Sequence, residues 1–188
     1  MGALQCRRMA RPLDGLTALD LATFVAAPFC CTLLGEFGAE VIKVEQPGLG
    51  DDLRRLGRAS ADGPSYLWLV EARNKKSITC NLRTAEGQAH IKRLVASTDV
   101  VAENFRPGTL ERWHLGWEDL RAVNRGVVMV RISAFGQTGP YRERPGFVRI
   151  TDFDSVGRRA MWARYCEEGV EFVAGREGDD LHSLIPWE

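Results

Sequence analysis

No apolar run in the 188 residues reaches the roughly 18 that a transmembrane helix needs, so no membrane span is expected. Charge of one sign is lacking too. Lys+Arg and Asp+Glu both number 25, which removes the basic footprint of a nucleic-acid binder. No HxxxH or HExxH occurs, and no CxxC joins any of the five cysteines, so no metal site is expected. Cys30 and Cys31 are adjacent in an apolar helical pattern. With Cys6, Cys80 and Cys166 they read as reduced residues, with zinc or a disulfide framework as the alternative. No GxGxxG follows the first strand and "PGLG" lacks a following GKS/T, so the usual dinucleotide and P-loop fingerprints are both missing. The N-terminal "MGALQCRRMARPLDG" lacks the apolar stretch of a signal peptide. The chain therefore reads as cytoplasmic. A short organelle presequence, mitochondrial in a eukaryote, stays open, as does a start at Met9.

What is present is enough apolar material for one core, 45% of residues. "LTALDLA" reads as a strand. "PFCCTLLGEFG" reads as a helix with Pro28 in its first turn, Gly38 at its end, and Phe29, Leu33, Leu34 and Phe37 on its buried face. "AEVIKVEQ" is a second strand, followed by a polar loop from Pro47 to Pro64, long enough to suggest a functional role. A helix over "SYLWLVEARN" and a strand over "KSITCNL" come next. Thr84 is placed to cap the helix "AEGQAHIKRLVAS", whose inner face is Ile91, Leu94 and Val95. The strand from Asp99, helical pieces from Thr109 and near "EDLRAVN", and the strand "GVVMVRIS" complete the pattern. Strands separated by helical crossovers predict a parallel α/β sheet with helices on both faces.

The strand within "DVVAENFRPGTLERW" ends in an amide, a ring and a guanidinium before Pro107-Gly108 forces a turn. Ligands of parallel sheets lie outside the carboxyl ends of the strands. Each of the five expected strands carries a basic residue, a glycine turn or an aromatic near an end. That set suits an elongated anionic ligand with an aromatic base. Each signal alone has a blander reading: Arg106 could close a salt bridge, Arg112 could face solvent, and the aromatic rings could belong to the core.

Taken in order, "PLDGLTALDLATFVAAPFCCTLLGEFGAEVIKVEQPGLGDDLR", "NKKSITCNLRT", "DVVAENFRPGTLERWHLGW" and "SAFGQTGPYRERPGF" resemble the N-terminal part of the class III CoA-transferases. This is the CaiB/BaiF type, which includes formyl-CoA transferase. The resemblance implies a Rossmann-like CoA-binding half over residues 12–148, after an extension over 1–11. It implies coenzyme A or acyl-CoA as substrate rather than a permanently bound cofactor, a carboxylic acid as second substrate, and the homodimer of the family. An Asp carboxylate of the enzyme would carry the acyl group in turn. The implied CoA contacts are Phe24 and Val25 after the first strand, and Gln46 after the second, where some members use Arg. They continue with Cys80, Asn81, Leu82 and Arg83 after the third, and Asn104, Phe105 and Arg106 after the fourth. Arg112 on the following helix, and Arg144 and Phe147 near the end of the matching region, complete them.

After Gly146-Phe147 the Asp of the family pattern is replaced by Val148, and Phe147 stands where racemases carry the His of a His-Asp pair, which disfavours a racemase. Residues 149–188 do not resemble the family and read as an unrelated or frame-shifted tail, irregular and incomplete relative to the family. The catalytic residue is unknown, with Asp179 and Asp152 as the candidate carboxylates. Two readings follow: a CoA-transferase, here in truncated form, or a non-catalytic remnant that binds CoA or a partner.

Overall fold

The structure, a computed structural model, describes residues 11–61 and 63–143. Five strands pair in parallel throughout: β1 (Thr17–Asp20), β2 (Glu40–Glu45), β3 (Lys75–Thr79), β4 (Val100–Glu103) and β5 (Val128–Arg131). Their spatial order is β3-β2-β1-β4-β5. The chain builds outward from β1 to one edge and then returns to build outward on the other side, so the order reverses between β1 and β4. A crevice opens at such a reversal, at the carboxyl ends of the two strands.

The connecting helices are α1 (Ala26–Glu36), α2 (Tyr66–Glu71), α3 (Ala85–Val95), α4 (Thr109–Arg112) and α5 (Trp117–Val123). They cover both faces of the sheet. On one face Leu19, Val44 and Val101 pack with Ile91 and Val95 of α3 and Leu120 of α5. On the other, Ala18, Val41 and Ala102 pack against Ala27 and Cys31 of α1. Thr84 caps α3 as its position predicts, accepting from Gly87 N at 3.1 Å. The polar loop after β2 is partly ordered: Asp51 caps a single 3-10 turn over Asp52–Arg55, and Ala59 bridges Ser65.

The buried face of α1 differs from expectation. Phe29 is 39% exposed, Leu33 38% and Phe37 55%, while Leu34 alone of the expected set packs against the core. The helix turns Ala27, Cys31, Thr32 and Gly35 inward. The reason is distance. A β-carbon on Gly35 would lie 3.3 Å from Val41 Cγ2 and 3.4 Å from the Asn74 carbonyl, so the helix sits too close to the sheet for large side chains. Hydrophobic size alone pointed to the wrong stripe.

Candidate active site

The carboxyl end of β1 runs into a turn that is held from several sides. Phe24 lies in the left-handed region with φ +61°, a conformation that costs a residue with a β-carbon about 1–2 kcal/mol. Asn104, just past β4, clips the turn with both ends of its amide. Its Oδ1 accepts from Thr23 N at 2.9 Å and its Nδ2 donates to Thr23 O at 2.7 Å. This side chain behaves as a piece of backbone bridging the two strand ends at the topological reversal. Val25 is the N-cap of α1, and no side chain caps that helix. Its positive end therefore lies at the same topological reversal.

Beneath the turn lies a buried set of opposite charges. Lys75 of β3 donates to Asp20 Oδ2 at 2.9 Å and to Pro28 O at 2.6 Å. Lys43 of β2 donates to Ala22 O and lies 3.1 Å from Asp51 Oδ2. Two ammonium groups thus face two carboxylates, which keeps the cluster neutral where unpaired charge would be costly.

The end of β2 is fixed by Glu45. Arg54 donates to its two oxygens at 2.6 and 2.7 Å, Asp51 N donates at 2.9 Å, and the Ser77 hydroxyl donates as well. Burial pushes this carboxyl up, but the Arg54 guanidinium, the Ser77 hydroxyl and the Asp51 amide pull harder, and it titrates at about 2. Arg54 also lies over the Trp68 ring, 3.9 Å from its centroid. Gln46 follows, exposed, at the start of the loop, and Cys80 N donates to Glu45 O at 2.9 Å, so the segment after β3 begins beside it.

At the ends of β3 and β4, Cys80, Leu82, Phe105 and Trp113 form a half-buried apolar ledge on the core. Phe105 and Trp113 meet edge to face with centroids 5.2 Å apart, and the Arg83 guanidinium lies 5.9 Å from the Trp113 ring. Asn81 closes its own turn by accepting from Arg83 N at 3.1 Å, and its carbonyl accepts from the Thr84 hydroxyl. A cleft of about 550 Å³ runs beside this segment, between Pro47 and Cys80 on one side and Gly87 and Leu94 of α3 on the other. Arg106 is exposed and makes no side-chain ion pair or hydrogen bond among the described residues, while Arg112 reaches only Thr109 Oγ1, at 3.0 Å.

Glu103 closes the inner side of the β4 end. Arg131 of β5 donates to it at 2.6 Å and Phe105 N at 2.7 Å. Its carboxyl is raised because burial outweighs these partners. Among the described residues, each carboxylate buried at this end of the sheet is engaged: Asp20, Glu45, Asp51 and Glu103 all face a cation.

The structure therefore gathers eleven of the expected contact residues at or just beyond four strand ends: Phe24, Val25, Gln46, the run 80–83, the run 104–106 and Arg112. Arg144 and Phe147, the candidate carboxylates Asp152 and Asp179, and the 149–188 tail lie outside the described residues. Lys43, Asp51, Arg54 and Trp113 were not singled out by their sequence setting. A signal existed for one of the four, and for its partner Asp20. Lys43 interrupts an apolar strand that is flanked on both sides, and Asp20 does the same in β1; charges in such strands demand buried partners. Among the described residues no His/Cys/Asp/Glu group is arranged to hold a metal, and no helix is long and apolar enough to cross a membrane.

Known proteins share this chain's sequence and fold. The succinyl-CoA–D-citramalate CoA-transferase of Chloroflexus aurantiacus is 59% identical over 147 residues, covering 78% of this chain and 37% of that protein. Human succinyl-CoA:glutarate CoA-transferase is 43% identical over 137 residues, covering 73% of this chain and 31% of its own length. The chain thus spans about a third of the length of these relatives. A CAIB/BAIF family protein from Brucella suis superposes with a TM-score of 0.72 at 36% identity, over 92% of this chain and 44% of that one. The model of CoA-transferase family III matches residues 13–159, most of the chain and all of the sheet just described, and the protein belongs to that family.

Proposed function

We propose that this chain supplies the CoA-holding part of an enzyme that moves CoA between an acyl-CoA and a carboxylic acid. The observation that carries the reading is the grouping beyond the carboxyl ends of the strands. It brings together the uncapped end of α1, the Phe105–Trp113 ledge and the cations Arg83, Arg106 and Arg112. An unpaired guanidinium and a helix N-terminus suit phosphate groups, and a half-buried aromatic ledge suits a purine or the pantetheine arm. The relatives named above are called succinyl-CoA transferases of D-citramalate and of glutarate. That favours the CoA thioester of a dicarboxylic acid as donor.

The reaction we infer has an enzyme aspartate attack the donor thioester carbonyl. A C–O bond forms, the C–S bond breaks, and CoA leaves as the thiolate, giving a mixed anhydride. The thiolate then attacks the aspartyl carbonyl, releasing the donor acid and leaving CoA on the enzyme as a thioester. The acceptor carboxylate attacks that thioester, and the returning thiolate takes the acceptor's acyl group, which frees the aspartate. CoA must stay held while acyl groups exchange, and a rigid rim of strand ends serves that need.

A second reading has its own support. Among the described residues every carboxylate buried at this sheet end is already bound to a cation, so they offer CoA contacts without a free buried nucleophile. On that reading the chain binds CoA and does not turn it over. Two measurements test the pair. Charge-assisted contacts contribute about 1.5–3 kcal/mol each, so Arg106→Ala is expected to weaken CoA binding by about tenfold or more in calorimetry. Equal affinity would remove Arg106 from the site. Incubation with succinyl-CoA and a panel of dicarboxylates, followed by mass spectrometry, separates turnover from binding. Multiple turnovers lost in Asp179→Ala or Asp152→Ala would identify the nucleophile and end the second reading.

A further inference from the structure

The left-handed Phe24 needs something to hold it, and Asn104 grips only Thr23. A further hold comes from the loop after β2. Asp51 Oδ1 accepts from Phe24 N at 3.2 Å, across 27 residues of sequence, and from Leu53 N at 2.9 Å. The carboxylate is itself fixed. Its own backbone N donates to Glu45 Oε2 at 2.9 Å, and Lys43 stands 3.1 Å from its other oxygen. Lys43 in turn donates to Ala22 O. The pair thus grips the chain at Ala22 and at Phe24 from below, while Asn104 grips Thr23 between them. A residue that served only to cap the 3-10 turn would need the bond to Leu53 alone. The second bond, to an amide in another connection, has no use in capping. Carboxylate rather than amide chemistry at this position follows from Lys43, a buried ammonium that requires a counter-charge.

We propose that Asp51 is a positioning residue of this site. It holds Phe24 in the left-handed conformation and so aims the Phe24–Val25 backbone and the start of α1 into the crevice. The proposal rests on the CoA reading for its functional meaning, and on geometry alone for the clamp itself.

The test compares the full chain with Asp51→Ala and Asp51→Asn by amide hydrogen exchange and by calorimetric titration with free CoA. Val95→Ala, a core truncation on the far face, serves as the stability control. Asp51→Ala is expected to speed exchange at Thr23, Phe24 and Val25 by about tenfold or more relative to α3, and to weaken CoA binding by about tenfold. Val95→Ala is expected to lower Tm without that selective effect. Asp51→Asn keeps an oxygen toward Phe24 but takes this counter-charge from Lys43, so it is expected to lower Tm, while exchange at residues 23–25 relative to α3 stays within about twofold of wild type. Should Asp51→Ala fail to fold, Asp51→Asn carries the test alone, and selective opening of the turn in it would overturn the clamp. Exchange that rises evenly across the sheet in Asp51→Ala, or does not rise at residues 23–25, overturns the proposal. Affinity unchanged while the turn opens also overturns it. Selective opening of the turn in a chain whose wild type binds no CoA upholds the clamp and removes the CoA reading instead.

Discussion

Removing the Arg54 guanidinium should cost stability in a way that depends on pH. Arg54 makes two short bonds to Glu45 and covers the Trp68 ring, so Arg54→Ala strips a buried carboxylate of its main partner. The fall of that carboxyl from its ordinary 4.5 to about 2 corresponds to about 3 kcal/mol favouring its charged form in the fold. Arg54 is itself 35% exposed, and water screens part of its contribution. A loss of about 2 kcal/mol at neutral pH is the expectation, or roughly 4–8 °C in Tm for a chain of this size. A carboxyl held below its unfolded value binds fewer protons when folded. Its stabilisation is complete above its ordinary 4.5 and disappears as pH falls toward about 2. The gap between wild type and Arg54→Ala should therefore be full at pH 7 and much reduced at pH 3. Thermal melts followed by circular dichroism at both pH values test this. An unchanged Tm at pH 7, or a gap as large at pH 3 as at pH 7, would refute the reasoning.

Other perturbations probe the neighbouring segments. A β-carbon on Gly87 would stand 2.0 Å from the Asn81 carbonyl, backbone against backbone, so Gly87→Ala should cost about 3 kcal/mol or more and disrupt the Cys80–Arg83 turn. Urea denaturation would read the first effect and CoA titration the second. Burial pushes the Cys31 thiol up to about 12, so iodoacetamide at pH 8 should leave it unmodified in the folded chain and label it in urea, as peptide mass spectrometry would show.

The order of strands and helices was legible because periodicity and turn residues record it locally. Thr84 was readable as a cap for the same reason. That the candidate residues gather at one end of the sheet was legible as well, since they sit just past the carboxyl ends of its strands. The inward stripe of α1 was not, because Gly35 sets the helix-to-sheet distance through a contact with Val41 and Asn74, and no local pattern contains that distance. Nor was the role of the Asn104 side chain. Its sequence setting shows an amide at a strand end, whereas the fold shows both amide ends bound to Thr23. Asp51 was hidden in a polar loop, where aspartate is common and burial is not expected.

The Asn104–Thr23 clip spans 81 residues of chain. A connection of that length closes late, because its loop entropy is offset only once the strands between have assembled. β1 can pair with β2 as soon as α1 has folded, but the crevice has only one wall until β4 docks on the other side. During synthesis the turn at Phe24 is thus made early as sequence and late as conformation. Pulsed hydrogen exchange during refolding should find Thr23 protected no sooner than Val101 and Ala102; protection of Thr23 alongside β2 and ahead of β4 would contradict this order. On the CoA reading proposed above, the competence to hold a ligand then arrives as a single late event, the docking of one four-residue strand, rather than accumulating as the sheet grows.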